Sequence, residues 1–323
     1  MKDVNYRTVV AGAIREEMER DERVFLMGQG VQAGGSYMTC EGLFDLFGPD
    51  RVRDTPISED SVVGCAVGAA ITGLRPIVEI LYCDFALRAM DQIANQAAKY
   101  RYMSGGRMAA PMVIRTSCGY GASRAAQHSQ SLESMFFHFP GLKIALPSSA
   151  YTAKGLMKSA IRDDNPVIIM ESFQFYRTAG PAPEGDYTIP LGKAEVKKEG
   201  TDITLLAISA MVPQAMKAAD SLAGEGIDVE VIDPLTLVPL DMETIVNSVQ
   251  KTNRLLVVEG GTKRGGVGSE IIASVVEEAF DHLDCPPSRL AVPNTPIPFA
   301  SNMEDLVLPN SASIANAIRR MLR

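Results

Sequence analysis

Asp54-Thr55-Pro56-Ile57-Ser58-Glu59-Asp60 runs directly into Val62-Val63-Gly64-Cys65-Ala66-Val67-Gly68-Ala69-Ala70. Arg51–Arg53 before it reads as extended, Pro56 stiffens the approach, and the apolar run behind Glu59 is helical, uncharged and built of small side chains. Small residues let such a helix press closely against a second layer. A carboxylate in the first turn sits at the positive end of the helix dipole. Two readings stand side by side. Ser58 and Glu59 cap a buried helix, or Glu59 is a carboxylate held fixed at the wall of a partly apolar cleft.

The flanking pattern is that of an α/β layer. Upstream, Arg7–Arg20 has the period of an amphipathic helix, with Val10, Ile14 and Met18 on one face. Val24–Met27 follows as a short buried strand, and residues 28–42 as a Gly-rich loop. Downstream, Pro76–Tyr82 is a β-rich run broken by one charge. It leads into Cys83-Asp84-Phe85, at the strand end where open α/β sheets place their ligand crevices. Leu87–Tyr102 then reads as a helix, Met112–Arg115 as a strand, residues 132–138 as a helix, Lys143–Pro147 as a strand, Ala150–Arg162 as a helix and Val167–Glu171 as a strand. Phe173–Pro190 carries Pro181, Pro183 and Pro190 without a period and reads as a linker. Beyond it the pattern restarts as β-α-β-α-β-α, ending in a helix at Ser311–Leu322. The fold class expected is α/β, two parallel-sheet α/β domains at residues 1–180 and 190–323.

The 323 residues suit about two domains, and the composition (46% hydrophobic, 22% charged) is that of a globular chain. A net charge of −8 argues against nucleic acid and against anionic membrane surfaces. No apolar run approaches the roughly 20 residues that span a bilayer, and the start of the chain lacks a signal or transit pattern. Five widely spaced cysteines without a C-x-x-C pair point to reduced thiols, no zinc site and a cytoplasmic setting.

Few residues carry a chemical signal. His128, in Gln127-His128-Ser129-Gln130-Ser131, lies in a polar loop, where a histidine is reachable by substrate and suited to proton transfer near neutral pH; an exposed, unemployed histidine is the other reading. Phe85 is either core or a ring that stacks on a flat ligand. Gly260–Glu270 follows a strand and opens a helix like a phosphate loop. It lacks the third glycine of G-x-G-x-x-G and the Gly-Lys-Ser/Thr of a P-loop.

Several stretches taken together resemble one family: Asp54–Glu59, Asp84-Phe85 with Asp91-Gln92-Ile93, Lys99–Gly106, Gln127–Ser131, Pro140–Lys143, Ile161–Val167 and Thr295–Phe299. They are similar, in order and spacing, to the beta subunit of the thiamine-diphosphate-dependent decarboxylase component of 2-oxo acid dehydrogenase complexes, which includes pyruvate, branched-chain and acetoin dehydrogenases. The resemblance implies a transketolase-like pyrimidine-binding domain followed by a transketolase C-terminal domain. It implies oxidative decarboxylation of a 2-oxo acid such as pyruvate, or cleavage of acetoin, with acyl transfer to lipoamide. Half of a split transketolase and a non-catalytic docking subunit are the alternatives.

On the same resemblance, Glu59 would hydrogen-bond N1′ of the cofactor's aminopyrimidine and favour its imino form, with Ile57 and Phe85 also contacting the cofactor. His128 would line the entrance and act on substrate or in acyl transfer. Met112, Ala160, Ile161, Asp163 and Asn165 match positions that hold a potassium ion in some members, mostly through carbonyls. The Gly-Asp-Gly segment that binds the magnesium diphosphate is absent from this sequence. The resemblance therefore implies that Mg2+ is held by an alpha subunit, in an α2β2 heterotetramer serving a dihydrolipoyl acyltransferase core.

Overall fold

A computed structural model describes residues 2–323, Lys2 by its backbone alone. Contacts divide the chain into two units. The first takes in the chain up to Cys118 together with Met135–Leu191; the second comprises Gly119–Ser134 and Gly192–Arg323. The segment Gly119–Ser134, which the sequence groups with the first domain, thus belongs by its contacts to the second unit.

In the first unit the strands are β1 (Lys2–Asn5), β2 (Val24–Gly28), β3 (Val52–Asp54), β4 (Arg75–Tyr82), β5 (Val113–Cys118), β6 (Lys143–Ala145), β7 (Val167–Ser172) and β8 (Ala179–Ala182). Its sheet runs β6-β7-β5-β4-β2-β3 with every neighbouring pair parallel. β2, β5 and β7 are buried along their whole length, as expected for strands covered on both faces. The helix at Tyr6–Arg20 buries Val9, Val10, Ala13, Ile14 and Met18, the face marked by its period of 3.6.

Three stretches depart from the expectation. Leu43–Arg51 is helical around a kink at Gly48 (φ 69°), hidden in the sequence by Gly48-Pro49. Leu87–Tyr102 is not one α-helix: a 3₁₀ turn at Leu87–Ala89 leads into a π-helix at Asp91–Ala97 and an α-turn at Tyr100–Met103. Phe173–Pro190 is not a plain linker. Phe173, Phe175 and Tyr176 are buried in a 3₁₀ turn, and β8 pairs antiparallel with β1, Lys2 facing Ala182 and Asn5 facing Ala179.

The second unit holds β9 (Glu195–Lys198), β10 (Ile203–Ala207), β11 (Val229–Asp233), β12 (Thr236–Val238), β13 (Leu255–Thr262) and β14 (Ser288–Val292). The order β14-β13-β10-β11-β9 is parallel except for the antiparallel edge strand β9. The helices Met211–Ala223, Met242–Thr252, Val267–Ala279 and Ser311–Met321 supply the crossovers and the closing element. The α/β class with parallel sheets holds in both units. Among the described residues no helix is long and apolar enough to cross a membrane.

Candidate active site

Asp54 ends β3, and the chain turns through Thr55–Ser58 into the helix Glu59–Ile71. Ser58 occupies the cap position without capping through its side chain; its hydroxyl bonds that of Ser61 at 3.0 Å. Glu59 and Asp60 are the carboxylates of the first turn, at the dipole's positive end, and Asp60 is exposed. Ile57, Glu59, Val62, Ile80, Leu81 and Glu79 share a cleft of about 20 Å³, room for about one water. Glu59 keeps 15% of its side chain exposed, and Arg88 Nε stands 4.0 Å from its carboxylate. Ile57 next to it is 73% exposed, an apolar side chain turned outward beside an acid.

Arg88 follows the short helix Cys83–Ala86, so the segment that carries Phe85 comes up to Glu59. Phe85 is half-buried, edge-on to Tyr82 with ring centres 5.2 Å apart. Glu59, Ile57 and the Phe85 segment thus meet in the first unit, at the C-terminal ends of its parallel strands, the end where such sheets bind ligands. His128 belongs to the second unit.

The sequence reading missed a charged row beneath this cleft. Glu79 in β4 faces Arg115 in β5 in the strand register. Arg115 Nη1 lies 2.6 Å from Glu79, and Arg115 Nε bonds Glu171 of β7. Tyr176 and Cys40 complete the group, their contacts being 3.4 Å from Tyr176 Oη to Glu171 and 3.0 Å from Cys40 Sγ to Glu79. Burial opposes the Arg115 charge, but the Glu171 and Glu79 carboxylates outweigh it and hold the guanidinium well above its ordinary value. Burial also pushes Glu171 up, against the pull of Arg115. A charge inside each of three apolar strands, opposite in sign between neighbours (Glu79, Arg115, Glu171), was the available signal.

The residues matched to a potassium site lie together at the opposite ends of β5 and β7. Two of the carbonyls already carry a cation: Arg75 donates to Ile161 O at 2.9 Å and to Asp163 O at 2.6 Å. The Met112 carbonyl takes the Val167 amide at 3.0 Å, and the Ala160 carbonyl takes Asp163 N at 3.3 Å. Lys143 pairs with the Asp163 carboxylate, and Asn165 donates to its other oxygen at 2.8 Å. Burial opposes ionisation of Asp163, but these bonds hold its carboxyl below the ordinary value. Among the described residues, no three acidic, histidine or cysteine side chains converge as a metal-binding set.

In the second unit the glycine-rich turn encloses a protein carboxylate. A Cβ at Gly266 would lie 2.5 Å from Glu259 Oε1, and one at Gly268 would lie 2.8 Å from it. Gly268 N donates to that oxygen at 3.2 Å. The anion at this helix start is Glu259, which accounts for the incomplete phosphate-loop pattern. Burial, with Glu259 nearby, pushes Glu133 up to about 7. A cavity of about 370 Å³ opens beside this pair, lined by Ser129, Gln130, Ser131, Thr262, Asn294 and Thr295 among others.

Two family models match the chain: the transketolase pyrimidine-binding domain over residues 2–178 and the transketolase C-terminal domain over residues 192–314. The chain belongs to the family of transketolase-type, thiamine-diphosphate-dependent dehydrogenase E1 beta subunits. The pyruvate dehydrogenase E1 component subunit beta of Rickettsia felis is 46% identical over 98% of each chain. The mitochondrial pyruvate dehydrogenase E1 component subunit beta of Dictyostelium discoideum is 45% identical over 99% of this chain and 91% of that one. The beta subunit of acetoin:2,6-dichlorophenolindophenol oxidoreductase of Cupriavidus necator is 41% identical over 100% of this chain and 98% of that one. A split-gene transketolase, an inactive beta4 tetramer, shares the fold at a TM-score of 0.80 and 23% identity over 99% of both chains. The chain is thus an oxidoreductase component that works with an alpha subunit.

Proposed function

We propose that this chain supplies the pyrimidine half of the active site in an enzyme that oxidatively decarboxylates a 2-oxo acid, pyruvate first, or cleaves acetoin, and passes the acyl group to lipoamide. The observation that carries the reading is Glu59: an acid in a helix's first turn, mostly shielded, beside the outward-facing Ile57 and the Phe85 segment. A cleft with room for one water is a wall, so the cofactor needs a second surface. The missing Gly-Asp-Gly segment supports the reading that this surface, with Mg2+ and the diphosphate, comes from the alpha subunit.

When bound, thiamine diphosphate supplies the nucleophilic carbon and electron sink that cleave the donor. Glu59 orients it by a hydrogen bond at the pyrimidine N1′ and moves a proton there. Ile57 and Phe85 present apolar contact to the ring and exclude water from that bond. His128 acts at the substrate end, binding the donor or moving a proton during acyl transfer. We assign to the same reading an α2β2 assembly, a dihydrolipoyl acyltransferase core, a cytoplasmic setting, and a potassium ion at Met112, Ala160, Ile161, Asp163 and Asn165. At that last site an ion competes with Arg75 for the Ile161 and Asp163 carbonyls.

The test is dye reduction by the chain joined to its alpha subunit, with thiamine diphosphate and magnesium, on pyruvate, acetoin and branched 2-oxo acids in parallel. One donor is expected to turn over, and Glu59→Gln to lower that rate by about 10²- to 10⁴-fold with assembly unchanged. Full activity of Glu59→Gln would sink the proposed role of Glu59.

A further inference from the structure

We infer that Glu304 is a positioning residue, and that its buried carboxylate sets the backbone of the loop that presents His128; the inference rests on the role proposed above for His128. The loop leaves Gly119 and returns at Gln130, where Gly119 N donates to Gln130 O at 2.9 Å. Tyr120 anchors its start, buried with its hydroxyl 3.5 Å from Met211 Sδ. A Cβ on Gly260 would lie 2.6 Å from the Tyr120 ring, so the ring rests directly on β13. Gly121 at φ 91°, Ser123 at φ 51° and Ala125 at φ 60° then take left-handed backbone, which costs the two non-glycine residues conformational energy.

Amides that alternate in this way converge into a concavity that binds anions. Glu304 fills it. Gly121 N donates to Oε1 at 2.7 Å, and Ser123 N donates to Oε2 at 3.1 Å. The residue is 3% exposed, and among the described residues it forms no ion pair. A carboxylate buried without a cation is unfavourable unless its hydrogen bonds are met, and both oxygens here are spent on one loop. The next residues, Ala125 to His128, are joined by His128 N to Ala125 O at 3.4 Å. The clamp therefore ends two residues before the turn that holds the histidine.

The experiment is done on the α/β complex loaded with thiamine diphosphate and magnesium, comparing Glu304→Ala, Glu304→Gln, His128→Ala and the Glu304→Ala/His128→Ala double variant. Hydrogen exchange of the peptide spanning residues 119–131 is followed in the same preparations. Glu304→Ala should speed exchange there and lower kcat/KM by about 10²-fold, the scale of a roughly 1 Å misplacement. Glu304→Gln, which keeps one acceptor, should lose less. The double variant should be no slower than His128→Ala. Unchanged exchange, faster exchange with activity within twofold of wild type, or additive losses in the double variant would each overturn the proposal. Wild-type activity of His128→Ala would instead remove the role of His128, and the positioning role with it. Exchange and the Glu304→Ala rate tell that failure from a failure of the clamp.

Discussion

Arg115→Leu is the substitution whose cost follows most directly from the structure. The guanidinium is buried between Glu79 and Glu171 and bonds both. Removing it leaves two carboxylates in the interior with no cation between them. Breaking a buried pair by removing one partner costs about 3–5 kcal/mol. For a unit of about 150–250 residues that corresponds to roughly 6–20 °C in Tm. The loss should depend on pH. Burial already holds Glu171 above its ordinary value, and without Arg115 it rises further. A carboxyl raised in the folded state binds more protons there than in the unfolded chain, so stability falls as pH rises from the unfolded value, about 4.3. The deficit is then full above the folded value and shrinks toward pH 5. Urea unfolding of the full chain, wild type and variant, at pH 5, 7 and 8 reads this out. A loss below about 1 kcal/mol at pH 8, within the range of an exposed pair, would refute the reasoning, as would a loss that does not change with pH.

Glu133, pushed up by burial to about 7 from the ordinary value of about 4.3, should weaken the fold as pH climbs between those values; Glu133→Gln should flatten that slope and raise Tm at pH 8 in a thermal scan. Gly141→Ala should destabilise by at least about 2 kcal/mol, because φ is +104° and the new Cβ would sit 2.0 Å from Ala98 O; a Tm within 1 °C of wild type, roughly the precision of a scan, would contradict this. Replacing sodium by potassium should raise the Tm of Arg75→Ala more than that of wild type, since the arginine no longer competes for the Ile161 and Asp163 carbonyls; equal shifts would remove the ion from that site.

Periodicity gave the architecture because its signals are local. Val10, Ile14 and Met18 mark a buried helix face whatever they touch, and the apolar runs at Val167 and Ile203 can only be covered strands. The same reasoning failed where a tertiary contact decides. An Ala-rich helix of period 3.6 and a π stretch at Asp91–Ala97 have nearly the same composition. Phe173–Tyr176 resembled a linker until its rings found the core. At the candidate site, the place of Glu59 before a small-residue helix was legible in the sequence, whereas the roles proposed for Ile57 and Phe85 rest on resemblance alone. Glu79, Arg115 and Glu171 required strand register, and Glu304 lies about 180 residues along the chain from the amides it binds.

The excursion of Gly119–Ser134 into the second unit bears on how this protein can be cut. A fragment beginning at Gly192 retains every strand of the second sheet, yet it arrives without Tyr120, so the surface of Gly260 loses its cover. It also keeps Glu304 and loses both amides that donate hydrogen bonds to it. Such a fragment carries an apolar gap and an unmatched buried charge in the same region, and the first unit, severed from it, trails a peptide shaped for a partner it no longer has. The second unit is discontinuous in the sequence, so a shuffled or permuted form of the chain will fold it only if residues 119–134 travel with the C-terminal half.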